Sequence, residues 1–338
     1  MNYEPFIVAS ALRDPVACVI DQGGAARGLM ADACLPPAAP HAADAADGAV
    51  PLSRFVAFSQ LAAARLGRRD FGWRAGMRFD PENLGEVGRA ALRAPTLGCA
   101  LTLLRDAFCA VQGASQLRLW VNEGEAALSY RILDPDIWPR EQDAALTLAV
   151  LAQLIGRAAG GPGALSHVAF EQGSARVGRG PLAGVDCPVS YDAPCNALFF
   201  PARLLDRRMP RCDAAAWPVL AADARSGSRI AAARDPLPHR VRREMQVRLG
   251  FGDVDQTSVA AALGLSRRTL RRRLEEDGAT FSDLLAETRE RAARRLLADP
   301  SLSLAEIAER LSYADQSAFE RAFRKRVGVT PARFRKGG

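Results

Sequence analysis

Histidine is scarce in this 338-residue chain, with three copies, and none of the seven cysteines (18, 34, 99, 109, 187, 195, 212) forms a Cys-x-x-Cys pair. Neither a zinc site nor a disulfide framework is therefore expected, and a reducing, cytoplasmic compartment fits best. Long apolar runs are missing too: the best, Ala144–Ala152, falls far short of the ~20 residues a membrane helix needs. The first residues, Met1-Asn2-Tyr3-Glu4-Pro5, lack the basic flank and apolar stretch of a signal peptide. Catalytic signatures are absent as well, with no G-x-S-x-G, H-E-x-x-H or P-loop. Gly178-Arg179-Gly180-Pro181-Leu182-Ala183 matches a dinucleotide-type pattern in form, but Pro181, Gly184 and Pro188 mark a loop rather than a strand-to-helix junction. No cofactor or metal is expected, and an enzyme-like front domain is the least favoured reading.

What is present is an uneven charge. Residues 236–338 hold 21 Arg+Lys against 14 Asp+Glu, whereas residues 1–235 hold 24 against 24. The whole net charge of +7 thus belongs to the last hundred residues. A localised basic excess is the footprint of a polyanionic partner. The same segment carries one unit twice, about 48 residues apart: Val259-Ala260…Leu263-Gly264-Leu265-Ser266…Leu270…Leu274, then Ile307-Ala308…Leu311-Ser312-Tyr313…Asp315…Phe319…Phe323. Each copy reads as a short helix, a tight turn and a second helix, the layout of a helix-turn-helix whose second helix enters the major groove of DNA.

In the first copy (about 255–276) Asp255 is placed to cap the first helix and Ser266 the second, with Gly264 at the turn. Leu270 and Leu274 fall on the inner face, while five arginines crowd into residues 267–273. In the second copy (about 303–326) Ser303-Leu304-Ala305-Glu306 is a capping box, Asp315 takes the place of Ser266, and Gln316, Ser317, Glu320 and Arg321 lie outward. These side chains suit base reading, since Arg bonds guanine, Gln bonds adenine and Glu accepts from cytosine. The spacing predicts an uninterrupted helix over Ser282–Ala298 between the copies, ended by Asp299-Pro300.

The front two-thirds read as a mixed α/β domain. Helical spacing runs over Leu52–Leu66, Asn83–Leu92, Leu97–Val111 and Ala144–Ala158, the last closed by Gly160-Gly161-Pro162. Alternation predicts a hairpin of Ser115–Asn122 and Ala126–Ile132 turning at Glu123-Gly124-Glu125, then short strands at Leu165–Phe170, Pro188–Tyr191 and Ala197–Phe200. Residues 1–50 are rich in Ala, Gly and Pro, and Pro36-Pro37 with Pro40 argues for a loop. Residues 224–238 have linker composition, which places a sensor-like domain over 1–223 and a helical domain over 239–338.

Residues 239–335 resemble the DNA-binding domain of the AraC/XylS family of bacterial transcription regulators. The resemblance is carried by Ile307-Ala308, Leu311, Tyr313, Asp315-Gln316-Ser317, Phe319, Arg321, Phe323-Arg324, Gly328-Val329-Thr330-Pro331 and Phe334-Arg335. It implies base- or groove-facing roles for Arg268, Arg271 and Arg272 in the first copy and for Gln316, Ser317, Glu320 and Arg321 in the second. Ser266, Arg267, Arg273 and Arg324 are expected to position the protein on phosphates. One departure is Ser312, where the family has glycine, so a left-handed serine costing ~1 kcal/mol is expected there.

The front domain resembles the arabinose-binding-type sensor of OruR-like members, through Asp70-Phe71-Gly72-Trp73-Arg74-Ala75-Gly76, Ala94-Pro95-Thr96-Leu97, His167-Val168-Ala169-Phe170, Val189-Ser190-Tyr191 and Asn196-Ala197-Leu198-Phe199-Phe200-Pro201. That resemblance implies a small-molecule effector, an amine or amino acid being the candidate, without supplying its ligands. Trp73, Trp120, Tyr130 and Trp138, with Phe108, are candidate pocket aromatics, although core packing also explains such residues. Asp134, Asp136, Glu141 and Asp143 are candidate attractors of a cation, and His167 reads as a core histidine. The expected whole is a ligand-responsive activator with double-stranded promoter DNA, effector, RNA polymerase and a second copy as partners, and no membrane. A sequence-tolerant architectural DNA binder is the alternative; its affinity would fall steeply with salt and vary little with sequence.

Overall fold

A computed structural model describes residues 4–37, 48–134, 136–161, 163–173, 182–234, 236–249, 254–298 and 302–337. The chain packs as two units, one of Asn2–Ile132 and Ile137–Arg234, the other of Asp235–Gly338 with Leu133–Asp136.

In the first unit β1 (Phe6–Val8) pairs antiparallel with β2 (Ala49–Pro51). Helices α1 (Arg13–Asp21), α2 (Ala26–Asp32), α3 (Leu52–Arg65), α4 (Phe71–Arg78), α5 (Gly85–Leu92) and α6 (Leu97–Val111) follow, the last capped by the Thr96 hydroxyl, which accepts from the Cys99 amide. The expected hairpin forms β3 (Ser115–Asn122) and β4 (Glu125–Ile132), with Glu123 and Gly124 at φ 49° and 84°. Two consecutive positive φ values give the turn whose twist matches the strands it joins. After α7 (Glu141–Ala159) come β5 (His167–Ala169) and β6 (Val189–Ser190), each inside its expected segment, and β7 (Asn196–Pro201), one residue longer than expected at each end. The sheet order is β3-β4-β7-β5-β6, with β5 and β6 the parallel pair.

Helix α7 is buried on nearly every side and ends where Gly160 turns left-handed at φ 89°. Its neighbour α4 crosses so closely that a Cβ on Gly72 would sit 2.1 Å from the Gln142 carbonyl oxygen, and one on Gly76 2.3 Å from that of Leu146. Those two glycines explain why the Phe-Gly-Trp-Arg-Ala-Gly stretch has its form: a larger residue at either position would push the core helices apart.

Three helices form where the sequence pattern names none, and one segment that reads as linker is helical. Residues 13–21 and 26–32 form helices inside the Ala-, Gly- and Pro-rich start, and 71–78 is helix where only a motif was legible. The segment 224–238 is not an extended linker, because α8 (Trp217–Arg234) runs through most of it. Alanines 221, 222, 224, 231, 232 and 233 supply helix propensity that outweighs Gly227 and the serines. The sequence features at Pro40, Gly178–Pro181 and Asp299-Pro300 lie outside the described residues.

The second unit is helical: α9 (Leu237–Arg248), α10 (Gln256–Ala262), α11 (Arg267–Glu276), α12 (Phe281–Leu297), α13 (Leu304–Arg310), α14 (Gln316–Val327) and α15 (Pro331–Gly337). It has two small cores. The first gathers Val241, Met245, Val259, Leu270, Leu274 and Leu284, and the second Ala293, Leu297, Ile307, Leu311, Phe319 and Phe323. Helix α12 contributes to both, Leu284 near its start and Leu297 at its end. No helix among the described residues is long and apolar enough to cross a membrane. Among the same residues no cluster of His, Cys, Asp or Glu is arranged to hold a metal ion.

Candidate nucleic-acid interface

Both candidate reading helices are started by the residues the sequence nominated. The Asp255 carboxylate accepts from the amides of Thr257 (2.8 Å) and Ser258 (3.1 Å) at the head of α10, and its bonds to Ser258 hold its pKa below the ordinary value. Ser266 caps α11 by accepting from the Thr269 amide at 3.1 Å. In the second copy Ser303 and Glu306 form the reciprocal capping box of α13, at 3.1 and 2.7 Å, and Asp315 accepts from the Ala318 amide at 2.6 Å to start α14. Satisfying these otherwise orphaned amides fixes where each helix begins, and hence which side chains lie outward.

On α11, Leu270 and Leu274 are buried and Arg267, Arg268, Arg271, Arg272 and Arg273 are exposed. Three of the arginines are tied down. Arg267 donates to Gln256 Oε1 at 3.2 Å, Arg271 pairs with Glu275 at 3.2 Å, and Arg272 pairs with Glu276 at 2.6 Å. Such exposed pairs contribute ~0–1 kcal/mol, so a phosphate or a guanine edge displaces them readily. The Arg271 and Arg272 pairs run along α11 at i,i+4, while the Arg267 bond reaches across to Gln256 on α10. Among the described residues Arg268 and Arg273 have no ion-pair partner.

On α14, Phe319 and Phe323 are buried, Gln316, Ser317, Arg321 and Arg324 are exposed, and Glu320 is half-buried. Gln316 Nε2 donates to Glu320 Oε1 at 2.7 Å, which couples two candidate readers one turn apart. This face is shorter in charge and richer in mixed donors and acceptors than that of α11.

The turn between α13 and α14 is braced by a residue of α12 whose role sequence reasoning missed. Ser312 sits at φ 54°, the left-handed backbone expected of it. Arg289, on α12, donates to the carbonyls of Leu311 (3.0 Å) and Ser312 (2.6 Å) and stacks on the Tyr313 ring at 4.5 Å. Burial pushes the Arg289 guanidinium down from its usual value. Nearby Glu290 accepts from Arg326 and Arg294, and the Arg326 bond is the main reason its carboxyl lies below its usual range. No local signal marks Arg289, since its partners lie 22 and 23 residues away.

The candidate effector aromatics do not converge. Trp73 is fully buried, with its indole N–H on the Ala183 carbonyl at 3.0 Å and Phe170 edge-on at 6.2 Å. Tyr130 is also buried, donating to Asp143 at 2.5 Å and accepting from Gln112 at 2.5 Å, with Phe108 edge-on. Trp120 and Trp138 are surface residues, 40% and 43% exposed. Nor do the carboxylates form one cluster: Asp136 is exposed while Glu141 and Asp143 are buried, and burial pushes Asp143 up to about 6. His167 bonds Ser190 at 2.8 Å and meets Phe199 edge-on, in keeping with a packed strand residue.

Comparison with known proteins matches residues 23–209 to the arabinose-binding domain of AraC transcription regulator, N-terminal, and residues 259–337 to a helix-turn-helix domain. The chain belongs to the AraC family of transcription regulators. The ornithine utilization regulator of Pseudomonas aeruginosa is 26% identical over 341 residues, covering 99% of this chain and 98% of that protein. The HTH-type transcriptional regulator VirS of Mycobacterium tuberculosis is 28% identical over 317 residues, 90% of this chain and 88% of its own. The transcriptional activator NphR of a Rhodococcus species is 36% identical over 97 residues, 29% of each chain. This AraC-family protein is accordingly a DNA-binding, ligand-responsive transcription regulator, with its sensing domain in front and its helix-turn-helix units behind.

Proposed function

We propose that α11 and α14 are the two reading helices of this regulator and that they enter successive major-groove segments of a promoter. Arg268, Arg271 and Arg272 read bases in the first segment, and Gln316, Ser317, Glu320 and Arg321 in the second. Ser266, Arg267, Arg273 and Arg324 hold phosphates. The observation that carries this reading is the repeated cap-and-inner-face arrangement of both helices, hung on one continuous helix, α12. At 1.5 Å per residue its 17 residues span about 25 Å, within reach of the ~34 Å of one DNA turn.

In this reading the sensing unit ends with α8 and the reader starts with α9, so the division lies near Asp235. The protein is a cytoplasmic activator that contacts RNA polymerase and works as a dimer, and it catalyses no reaction. Its effector is an amine or an amino acid, in keeping with the name of its ornithine-linked relative. Effector and DNA binding are linked, so each alters the other's affinity by the same factor.

The test is selection by the full-length protein from a random pool of duplexes at physiological salt. A specific regulator enriches a site with two distinct half-elements about one helical turn apart and prefers it by ~10³-fold or more over the pool. Binding that ignores sequence and depends on salt alone would instead mark an architectural protein.

A further inference from the structure

The front unit holds a pocket of about 320 Å³ at the C-terminal end of α7, lined by Met77, Gln153, Arg157, Gly161, Leu165 and Asp186 among others. A volume of this order suits a small metabolite. Its polar equipment is specific. Gln153 Nε2 donates to the carbonyls of Gly76 and Phe79, which fixes the amide and presents its Oε1 to Arg157 at 3.3 Å. Arg157 is half-buried and, among the described residues, has no carboxylate partner. A guanidinium has five N–H donors, so most of its capacity is left for something in the pocket. Asp186 lines the same pocket, and among the described residues no ion pair joins it to Arg157.

Two opposite charges that share a cavity without pairing suit a ligand that carries both charges. Arg157 lies in the last turn of α7, where the negative pole of the helix dipole favours its charge. The remaining wall combines the apolar side chains of Met77, Leu165, Val185 and two alanines with the backbone of several glycines.

We infer that this pocket binds a free α-amino acid, with Arg157 on its carboxylate, Asp186 on its ammonium, and Met77 and Leu165 against its side chain. The inference rests on the reading of the front unit as a ligand sensor and adds the ligand class and the contact residues. A carboxylic acid alone leaves Asp186 unanswered, although that carboxylate is exposed and keeps its water; an amine alone leaves the half-buried Arg157 unanswered, and a charge partly withdrawn from water discriminates against ligands that leave it unpaired.

Thermal melting and calorimetry of the full-length protein with the twenty standard L-amino acids and L-ornithine test it. At least one raises the melting temperature, whereas its decarboxylated amine and its deaminated acid do not. Arg157→Gln and, separately, Asp186→Asn each weaken that ligand about tenfold or more, and Arg157→Lys restores part of the loss. Melting of the unliganded variants guards against misfolding, and exposed Asp186 provides the variant least able to disturb the core. The inference falls if no amino acid stabilises the protein, if the amine or acid analogue binds equally well, or if both variants keep wild-type affinity. Duplex selection by the wild type, run both without ligand and with the stabilising amino acid, separates the two proposals: enrichment without amino-acid binding removes the pocket alone, and amino-acid binding with no enrichment in either condition removes the reading helices alone.

Discussion

In the first helix-turn-helix the chain turns on Gly264 at φ 68°, and in the second on Ser312 at φ 54°. Glycine takes that backbone with no steric cost, whereas serine carries ~1 kcal/mol of strain. The second unit offsets it from outside the turn, through the Arg289 clasp on the carbonyls of Leu311 and Ser312. Counting back about 48 residues from Arg289 reaches Val241, a fully buried residue of the first core. Where one copy packs a valine, the other inserts a guanidinium. The cores differ in the same sense: the buried residues of the first are aliphatic, with Phe281 at its edge, while the second stacks Tyr313, Phe319, Phe323 and Phe334 with ring centroids 5.5–5.8 Å apart. The same local layout is thus reached by two packing solutions, one apolar with a permissive turn, the other aromatic with a braced turn.

The largest expected effect on this comparison comes from the aromatic core. Phe319→Ala should destabilise the second unit by ~3–5 kcal/mol. Hydrogen exchange on the full-length protein should show α13 and α14 losing protection while α10 and α11 keep theirs. Equal losses in both copies would mean that the two cores fold as one.

Next in size is the clasp itself. Arg289→Met should cost ~1.5–3 kcal/mol, the range for hydrogen bonds to a charged donor, and should raise exchange around Ser312. If the turn stays protected, the brace is not what holds it. Of similar magnitude, but on DNA, Arg272→Ala should lose ~1–3 kcal/mol at one base position. Arg273→Ala should weaken all sequences alike and lower the salt slope by about one. Titrations at several salt concentrations on selected and scrambled duplexes tell these outcomes apart, and identical profiles would erase the division of roles along α11.

The smallest and most symmetrical pair concerns the turns. Ser312→Gly should stabilise the second unit, and Gly264→Ala should destabilise the first, each by ~1 kcal/mol or less. Urea denaturation of both variants decides it. A destabilising Ser312→Gly would show that the serine side chain contributes more than its backbone costs.

Features encoded within a few residues are legible in the sequence alone. Asp255, Ser266, Ser303 and Asp315 all cap the helices they are expected to cap. Glu123-Gly124 turns its hairpin, and the inner-face leucines and phenylalanines are buried. What escapes depends on partners distant along the chain. Arg289 is an ordinary arginine on an ordinary helix until the fold brings it against Leu311 and Ser312. The glycines of α4 are legible only as part of a motif until α7 lies across them. Alanine-rich residues around 224 read as linker because small residues suit both a flexible chain and a helix. Aromatic content points to a pocket that Trp73, Trp120, Tyr130 and Trp138 do not form, while Arg157 and Asp186 draw no notice, since pocket lining leaves no periodic trace.

Helix α12 enters both cores, so it acts as a screw as well as a spacer. Each residue added to it would advance the second reader by about 1.5 Å and rotate it by about 100°. If α11 and α14 read the DNA as proposed, a single insertion aims α14 away from the groove that α11 enters. Four insertions bring the phase back to within about 40° but separate the readers by about 6 Å more. The distance between half-elements in the operator is consequently not a freely adjustable quantity for this regulator. It can change only in steps that the pitch of one α-helix and the pitch of DNA both accept.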